Sequence, residues 1–111
     1  TLNKVADELQ NALPHKFTMI TLGDKGIFTR FNSKSIIKDA HHREITDVSG
    51  AGDTVISVAA LCVAAGADQE LITEISNIAG GLVCEFPGVV PLDHEKLLEE
   101  TLKVSGMRNN E

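Results

Sequence analysis

Asp47-Val48-Ser49-Gly50-Ala51-Gly52-Asp53-Thr54 runs without a break into Val55-Ile56-Ser57-Val58-Ala59-Ala60-Leu61-Cys62-Val63. The first stretch is made of small residues and the second is almost wholly apolar. This order predicts a loop that opens a helix over residues 52–65, ending at Gly66 as a natural C-cap. A helix that is apolar all round is a buried helix. Gly50, Ala51 and Gly52 carry almost no side chain, so a ligand can approach the backbone closely. The first N–H groups of the helix have no internal partner and lie at the positive end of its dipole. Together these features suit a phosphate, or the charge on a phosphoryl group in transfer.

Asp53 fits that picture in two ways. As a first-turn residue it could belong to a plain turn and cap. Beside an anion cradle it could accept the proton of a hydroxyl that attacks a phosphoryl group. The pairing of a cradle with a carboxylate directly after it favours the second reading.

Upstream, Leu2, Val5, Ala6, Leu9 and Leu13 share one helical face, and Pro14 ends the pattern. Phe17-Thr18-Met19-Ile20-Thr21-Leu22 lacks polar alternation, as a strand covered on both faces of a parallel sheet would. Gly23-Asp24-Lys25-Gly26 is a turn. Residues 27–31 and 35–38 read as two strands of a hairpin joined by Asn32-Ser33-Lys34. Residues 41–46 read as a further short extended piece. Downstream, Asp68 can cap a helix to about Glu85, with a stripe of Leu71, Ile75, Ile78 and Leu82 widened by Ile72, Ala79 and Val83. Phe86-Pro87-Gly88 breaks it. Asp93 can cap a last helix with Leu97, Leu98 and Leu102 inward, and residues 108–111 read as a frayed tail. The mixture is α/β, and its few strands are too few for a parallel sheet of their own.

Composition narrows the function. The 111 residues suffice for one domain but are tight for two, and 42% hydrophobic with 23% charged residues is the balance of a globular protein. A formal charge of -6 offers no basic patch for nucleic acid or an anionic membrane. The apolar run 55–67 is too short to span a bilayer. Cys62 and Cys84 read as buried free thiols of a cytoplasmic protein rather than a disulfide. His41 and His42 are adjacent, so on a strand they point to opposite faces and cannot share a metal; they read as surface residues.

The segment 47–54 resembles the C-terminal signature of the ribokinase-like, PfkB-type carbohydrate kinases, roughly D-T-x-G-A-G-D, with Val48 where Thr is usual. Ile20-Thr21-Leu22-Gly23-Asp24-Lys25-Gly26 resembles the family's T-L-G-x-x-G strand and turn, and Asn77 matches its adenine-pocket asparagine in order and spacing. Within the family, residues 47–57 and 79–85 look closest to bacterial kinases of D-glycero-D-manno-heptose 7-phosphate. The resemblance implies the C-terminal part of a layered α/β fold, with a mainly parallel sheet and helices on both faces.

The same resemblance implies roles. Asp53 is the catalytic base, and Gly50, Ala51 and Gly52 form the anion hole with it. Thr21, Gly23, Gly26 and Asn77 flank the nucleotide. Asp47 helps hold a monovalent cation such as K+. Taken alone, Asp47 reads equally well as an Asx-turn, Gly23 and Gly26 as an ordinary hairpin turn, and Asn77 as a solvated polar residue. ATP and Mg2+ are the implied cofactors, and a sugar or sugar phosphate is the implied partner.

The family's sugar site, lid, Asn-x-x-Glu magnesium motif and first glycine-pair signature find no match here. Residues 1–111 therefore read as one C-terminal segment of a kinase domain: the nucleotide half with its base, without the sugar-binding half. Such a segment alone is expected to have little or no kinase activity. Homo-oligomerisation of the full-length protein is left open, as is a nucleotidyltransferase domain after Glu111. Two other readings stand beside the heptose kinase. One is a ribokinase-like kinase of ribose, fructose, a nucleoside or a vitamin. The other is a non-catalytic nucleotide-binding module.

Overall fold

The computed structural model describes residues 1–40, 50–85, 88 and 91–109. Asp47, Val48 and Ser49, the His41-His42 pair, the extended piece expected at 41–46 and the Phe86-Pro87 break lie outside the described residues. Elements follow in the order α1 (Leu2–Ala12), β1 (Phe17–Thr21), β2 (Ile27–Phe31), β3 (Lys34–Lys38), α2 (Ala51–Ala64), α3 (Gln69–Val83) and α4 (His94–Asn109), with a short 3-10 turn at Gly23–Lys25 between β1 and β2.

The strands form one sheet in the order β1-β2-β3, and both pairings are antiparallel. In register, Phe17 faces Phe31 and Thr21 faces Ile27 across the first pair, and Ile27 faces Lys38 across the second. The unalternated sequence of β1 suggested a parallel neighbour. Among the described residues it has none: β1 lies at an edge, and Phe17, Met19 and Ile20 are only half-buried. The β2–β3 hairpin turns on Asn32 and Ser33, whose φ values of 51° and 67° are those of a two-residue turn matching the strand twist.

Helices cover both faces. Successive side chains of a strand point opposite ways. Arg30 on β2 reaches α1, pairing with Asp7 at 2.6 Å and donating to the carbonyl of Asn3 at 3.0 Å. Thr29, its neighbour, points to α3. There its hydroxyl donates to Thr73 Oγ1 at 2.8 Å, and Thr73 donates onward to the Gln69 carbonyl at 2.7 Å. Gln69 Nε2 closes the network on Thr29 Oγ1 at 3.2 Å and on the Lys34 carbonyl at 2.9 Å. Both threonines are fully buried, and this network satisfies their hydroxyls.

α3 is the central helix. It packs on β2 and β3, on α2 and on α4, and it buries Ile72, Ile78, Ala79, Leu82 and Val83 together with Thr73, Glu74, Ser76 and Asn77. Its start is capped as expected, Asp68 accepting from the Leu71 N–H at 2.8 Å. Asp93 caps α4 by accepting from the Glu95 and Lys96 N–H groups.

Three expectations about burial and ends are corrected. α2 is not enclosed: Val55 and Ala59 are buried against α3, but Ile56, Leu61 and Val63 are exposed and Cys62 is only half-buried. One face of α2 meets α3, and the face that carries Ile56, Leu61 and Val63 is exposed. The α1 stripe buries Ala6 alone, leaving Val5, Leu9 and Leu13 exposed, and Leu98 and Leu102 of α4 point outward. The C-terminal tail is helical through Arg108 and Asn109. No helix of the described residues is long and apolar enough to cross a membrane.

Candidate active site

The loop-to-helix junction is built as its composition requires. Gly50 is the N-cap of α2 and sits in the left-handed region at φ 75°, where glycine carries no steric penalty. No side chain of the described residues caps the helix, and the first intrahelical bond runs from the Thr54 N–H to the Gly50 carbonyl at 3.1 Å. The N–H groups of Ala51, Gly52 and Asp53 therefore precede the hydrogen-bonded ladder, at the positive end of the dipole. Gly52 and Asp53 are exposed, and a Cβ built on Gly52 meets nothing within 4 Å. Among the described residues, none covers Gly52 on the first turn. The Asp53 carboxylate stands beside these donors with no hydrogen bond or ion pair to a described residue.

The junction is held by α3. A Cβ on Gly80 would come to 2.7 Å from Val55 Cγ2, so a larger residue here would push on the start of α2. Asn77 is on the same helix, one turn before Gly80. It is buried, and its Nδ2 donates to the Asp39 carbonyl at 2.8 Å. That amide hydrogen bond holds the end of β3, a role that periodicity alone does not show.

The β1–β2 connection is equally constrained. Thr21, at the end of β1, is exposed. Gly23 has φ 61° and open space around it. Gly26 is buried with φ 109°, and a Cβ there would lie 1.9 Å from the Lys38 carbonyl oxygen and 2.8 Å from the Ala40 nitrogen. Gly26 thus presses its backbone against the end of β3. On the same stretch Lys38 Nζ lies 3.4 Å from Glu70 and 3.4 Å from the buried Glu74. The structure therefore gathers two groups. Gly50, Ala51, Gly52 and Asp53 form one at the head of α2. Gly26 and Asn77 meet on the backbone of residues 38–40. Lys38 and Gly80, which sequence reasoning did not single out, hold these groups in place; the packing of a glycine against Val55 has no local signature.

Comparison with known proteins agrees with this geometry. The pfkB family carbohydrate kinase profile matches residues 1–95. The chain belongs to that family. Curated relatives include the Bifunctional protein HldE of Koribacter versatilis, 39% identical over 93 residues that make up 84% of this chain and 19% of the relative. The Bifunctional protein HldE of Methylobacillus flagellatus is 36% identical over 95 residues, 86% of this chain and 20% of the relative. The chain thus spans about a fifth of the length of the curated relatives it matches. In fold it is similar to phosphofructokinase-2 from Escherichia coli in complex with potassium, with a TM-score of 0.84 at 21% identity over 94% of this chain and 34% of the other. It is likewise similar to Arabidopsis thaliana ribokinase complexed with ribose and ATP, with a TM-score of 0.78 at 22% identity over 91% of this chain and 34% of the other. The ribokinase-like α/β fold expected from the sequence is that of this chain, whose described strands are the antiparallel part.

Proposed function

We propose that this chain is the C-terminal part of an ATP-dependent sugar kinase, carrying the catalytic base and part of the nucleotide site. The observation that carries the reading is the head of α2: a left-handed Gly50, N–H groups at Ala51, Gly52 and Asp53 without a partner among the described residues, and an exposed carboxylate beside them. In the reaction the sugar hydroxyl gives its proton to Asp53 as its oxygen bonds to the γ-phosphorus. The bond from that phosphorus to the β,γ-bridging oxygen breaks, and ADP leaves with the electron pair. The backbone donors at residues 50–53 stabilise the charge on the phosphoryl oxygens, usually a large share of such catalysis.

Among the described residues no three His, Cys, Asp or Glu side chains converge on a point. Mg2+ would be held chiefly by the phosphate oxygens of ATP, as is usual for this ion. Asp47 is proposed to take part in a K+ site, and Thr21 and Gly23 to flank the nucleotide. The HldE relatives favour a sugar phosphate as acceptor, with the anomeric hydroxyl of D-glycero-D-manno-heptose 7-phosphate as the specific proposal and lipopolysaccharide precursor synthesis as its use. A cytoplasmic location goes with that reading, and homo-oligomerisation of the full-length protein is compatible with it.

The test is a phosphorylation panel on the full-length protein with ATP, followed by 31P NMR. A new anomeric phosphate signal from heptose 7-phosphate, with ribose, fructose 6-phosphate and nucleosides turned over at least a hundredfold more slowly, is expected. Preference for any of the others overturns the substrate, and no transfer to any sugar overturns the kinase. The 111-residue segment alone is expected to transfer no phosphate.

A further inference from the structure

Lys38 ends β3 beside the β1–β2 turn, and its main chain and side chain meet different partners. A Cβ on Gly26 would lie 1.9 Å from the Lys38 carbonyl oxygen and 2.9 Å from its carbonyl carbon, so the Gly26 main chain rests on the Lys38 peptide. The side chain crosses to α3. There Nζ lies 3.4 Å from Glu70 Oε1 and 3.4 Å from Glu74 Oε2. Glu70 and Glu74 are four residues apart, so they share one helix face and one ammonium can meet both. Glu74 is 5% exposed. Taking the ammonium away from a carboxylate so deeply buried is costly.

The turn itself is a closed unit. The Leu22 N–H donates to the Gly26 carbonyl at 2.8 Å, the Lys25 N–H to the Leu22 carbonyl at 3.1 Å and the Gly26 N–H to the Gly23 carbonyl at 3.3 Å. A loop tied in this way moves as one piece, and its place depends on what it rests on. Gly26 is its buried end and Gly23 its exposed one.

We propose that Lys38 is a positioning residue for the nucleotide: Glu70 and Glu74 hold its ammonium, its peptide carries Gly26, and α3 thereby sets where the turn at residues 22–26 stands. The kinetic part rests on the reading that Gly23 flanks the nucleotide; the structural part does not. An ion pair that serves stability alone is dispensable once both members are neutral, since replacing a whole buried pair is often neutral in stability. A pair that places the turn is not dispensable in that way. The two roles therefore part in a double variant.

The experiment uses the full-length protein with Lys38→Met, with Lys38→Met and Glu74→Gln together, and with Lys38→Arg. Urea denaturation reads stability, calorimetry reads ATP affinity, steady-state kinetics give KM for ATP and for the sugar, and amide hydrogen exchange reads the turn. Lys38→Met is expected to lose stability, and the double variant to regain most of it because the buried charge has gone. Both should bind ATP about tenfold more weakly, with a matching rise in KM for ATP, an unchanged KM for the sugar, and exchange at Leu22 and Gly26 about tenfold faster. Lys38→Arg, whose guanidinium has donors for both carboxylates, should stay within about twofold of the wild type. ATP affinity that returns together with stability in the double variant overturns the proposal, because the pair then serves the fold alone. Unaltered ATP affinity in Lys38→Met overturns it, as does a KM for the sugar that rises as much as that for ATP, the mark of general loosening. Should Lys38→Met fail to fold, the double variant carries the test, since its residue 74 is neutral. If the wild-type protein binds no ATP, the nucleotide reading fails. Exchange at Leu22 and Gly26 then decides whether Lys38 holds the turn, and unaltered exchange overturns that part as well.

Discussion

The two glycines that bound one short turn, Gly23 and Gly26, should respond very differently to a methyl group. Gly26 has φ 109°, a conformation that L side chains rarely adopt, and a Cβ there would lie 1.9 Å from the Lys38 carbonyl oxygen and 2.8 Å from the Ala40 nitrogen. Both obstacles are main chain, so no rotamer change relieves them. The Cβ falls roughly 1.5 Å short of ordinary contact, and the β2–β3 ladder must open to admit it. Overpacking of this kind costs about 1–3 kcal/mol, and the backbone strain adds about 1–3 kcal/mol. Gly26→Ala should therefore destabilise the protein by about 2–6 kcal/mol, a large part of the ~5–15 kcal/mol that a domain has. Gly23 has φ 61° but no atom within 4 Å of its built Cβ, so Gly23→Ala meets only the left-handed penalty of about 1–2 kcal/mol. Urea denaturation of the full-length protein, followed by circular dichroism, measures both. Equal midpoints for the two variants would refute the claim that Gly26 is pressed on the end of β3.

Gly80→Ala should cost about 1–3 kcal/mol by pushing on Val55, and adding Val55→Ala should recover part of that, a positive coupling read in the same denaturation assay. Thr73→Val or Thr29→Val alone should cost about 1–3 kcal/mol because a buried hydroxyl loses its partner; in the double variant the second change should cost less than it does alone. Burial pushes the Cys62 thiol above its ordinary range. Iodoacetamide should therefore modify Cys62 more slowly at pH 8 in the folded protein than in urea, where the thiolate forms more readily. The same shift makes the folded state lose stability as pH rises through the unfolded thiol's pKa, because the unfolded chain ionises first; thermal melts across that range should fall for the wild type more than for Cys62→Ala.

Much of the fold is legible because its signals are local. Asp68 and Asp93 cap helices with their own side chains, and Asn32-Ser33 sets a hairpin through its backbone. The head of α2 is legible for the same reason: small residues, a carboxylate and an apolar run lie in one stretch. Burial is not local. Ile56, Leu61 and Val63 give α2 the composition of an enclosed helix, yet the described chain covers only the Val55–Ala59 side. α3 is enclosed although Thr73, Glu74, Ser76 and Asn77 interrupt its apolar stripe, because partners from β2 and β3 satisfy several of these polar groups. Asn77 shows the limit most clearly. The carbonyl its amide reaches lies 38 residues earlier in the chain and is brought near only by folding.

The central claim is that Asp53 is the base beside a preformed anion cradle, and Asp53→Asn in the full-length protein tests it most directly. Asparagine keeps the size of the side chain and the first turn of α2 but cannot take the hydroxyl proton. Phosphoryl transfer should fall by about 10²–10⁴-fold, the usual contribution of a positioned base, while ATP affinity measured by calorimetry stays within a few-fold. Retention of more than a tenth of the turnover would contradict the account.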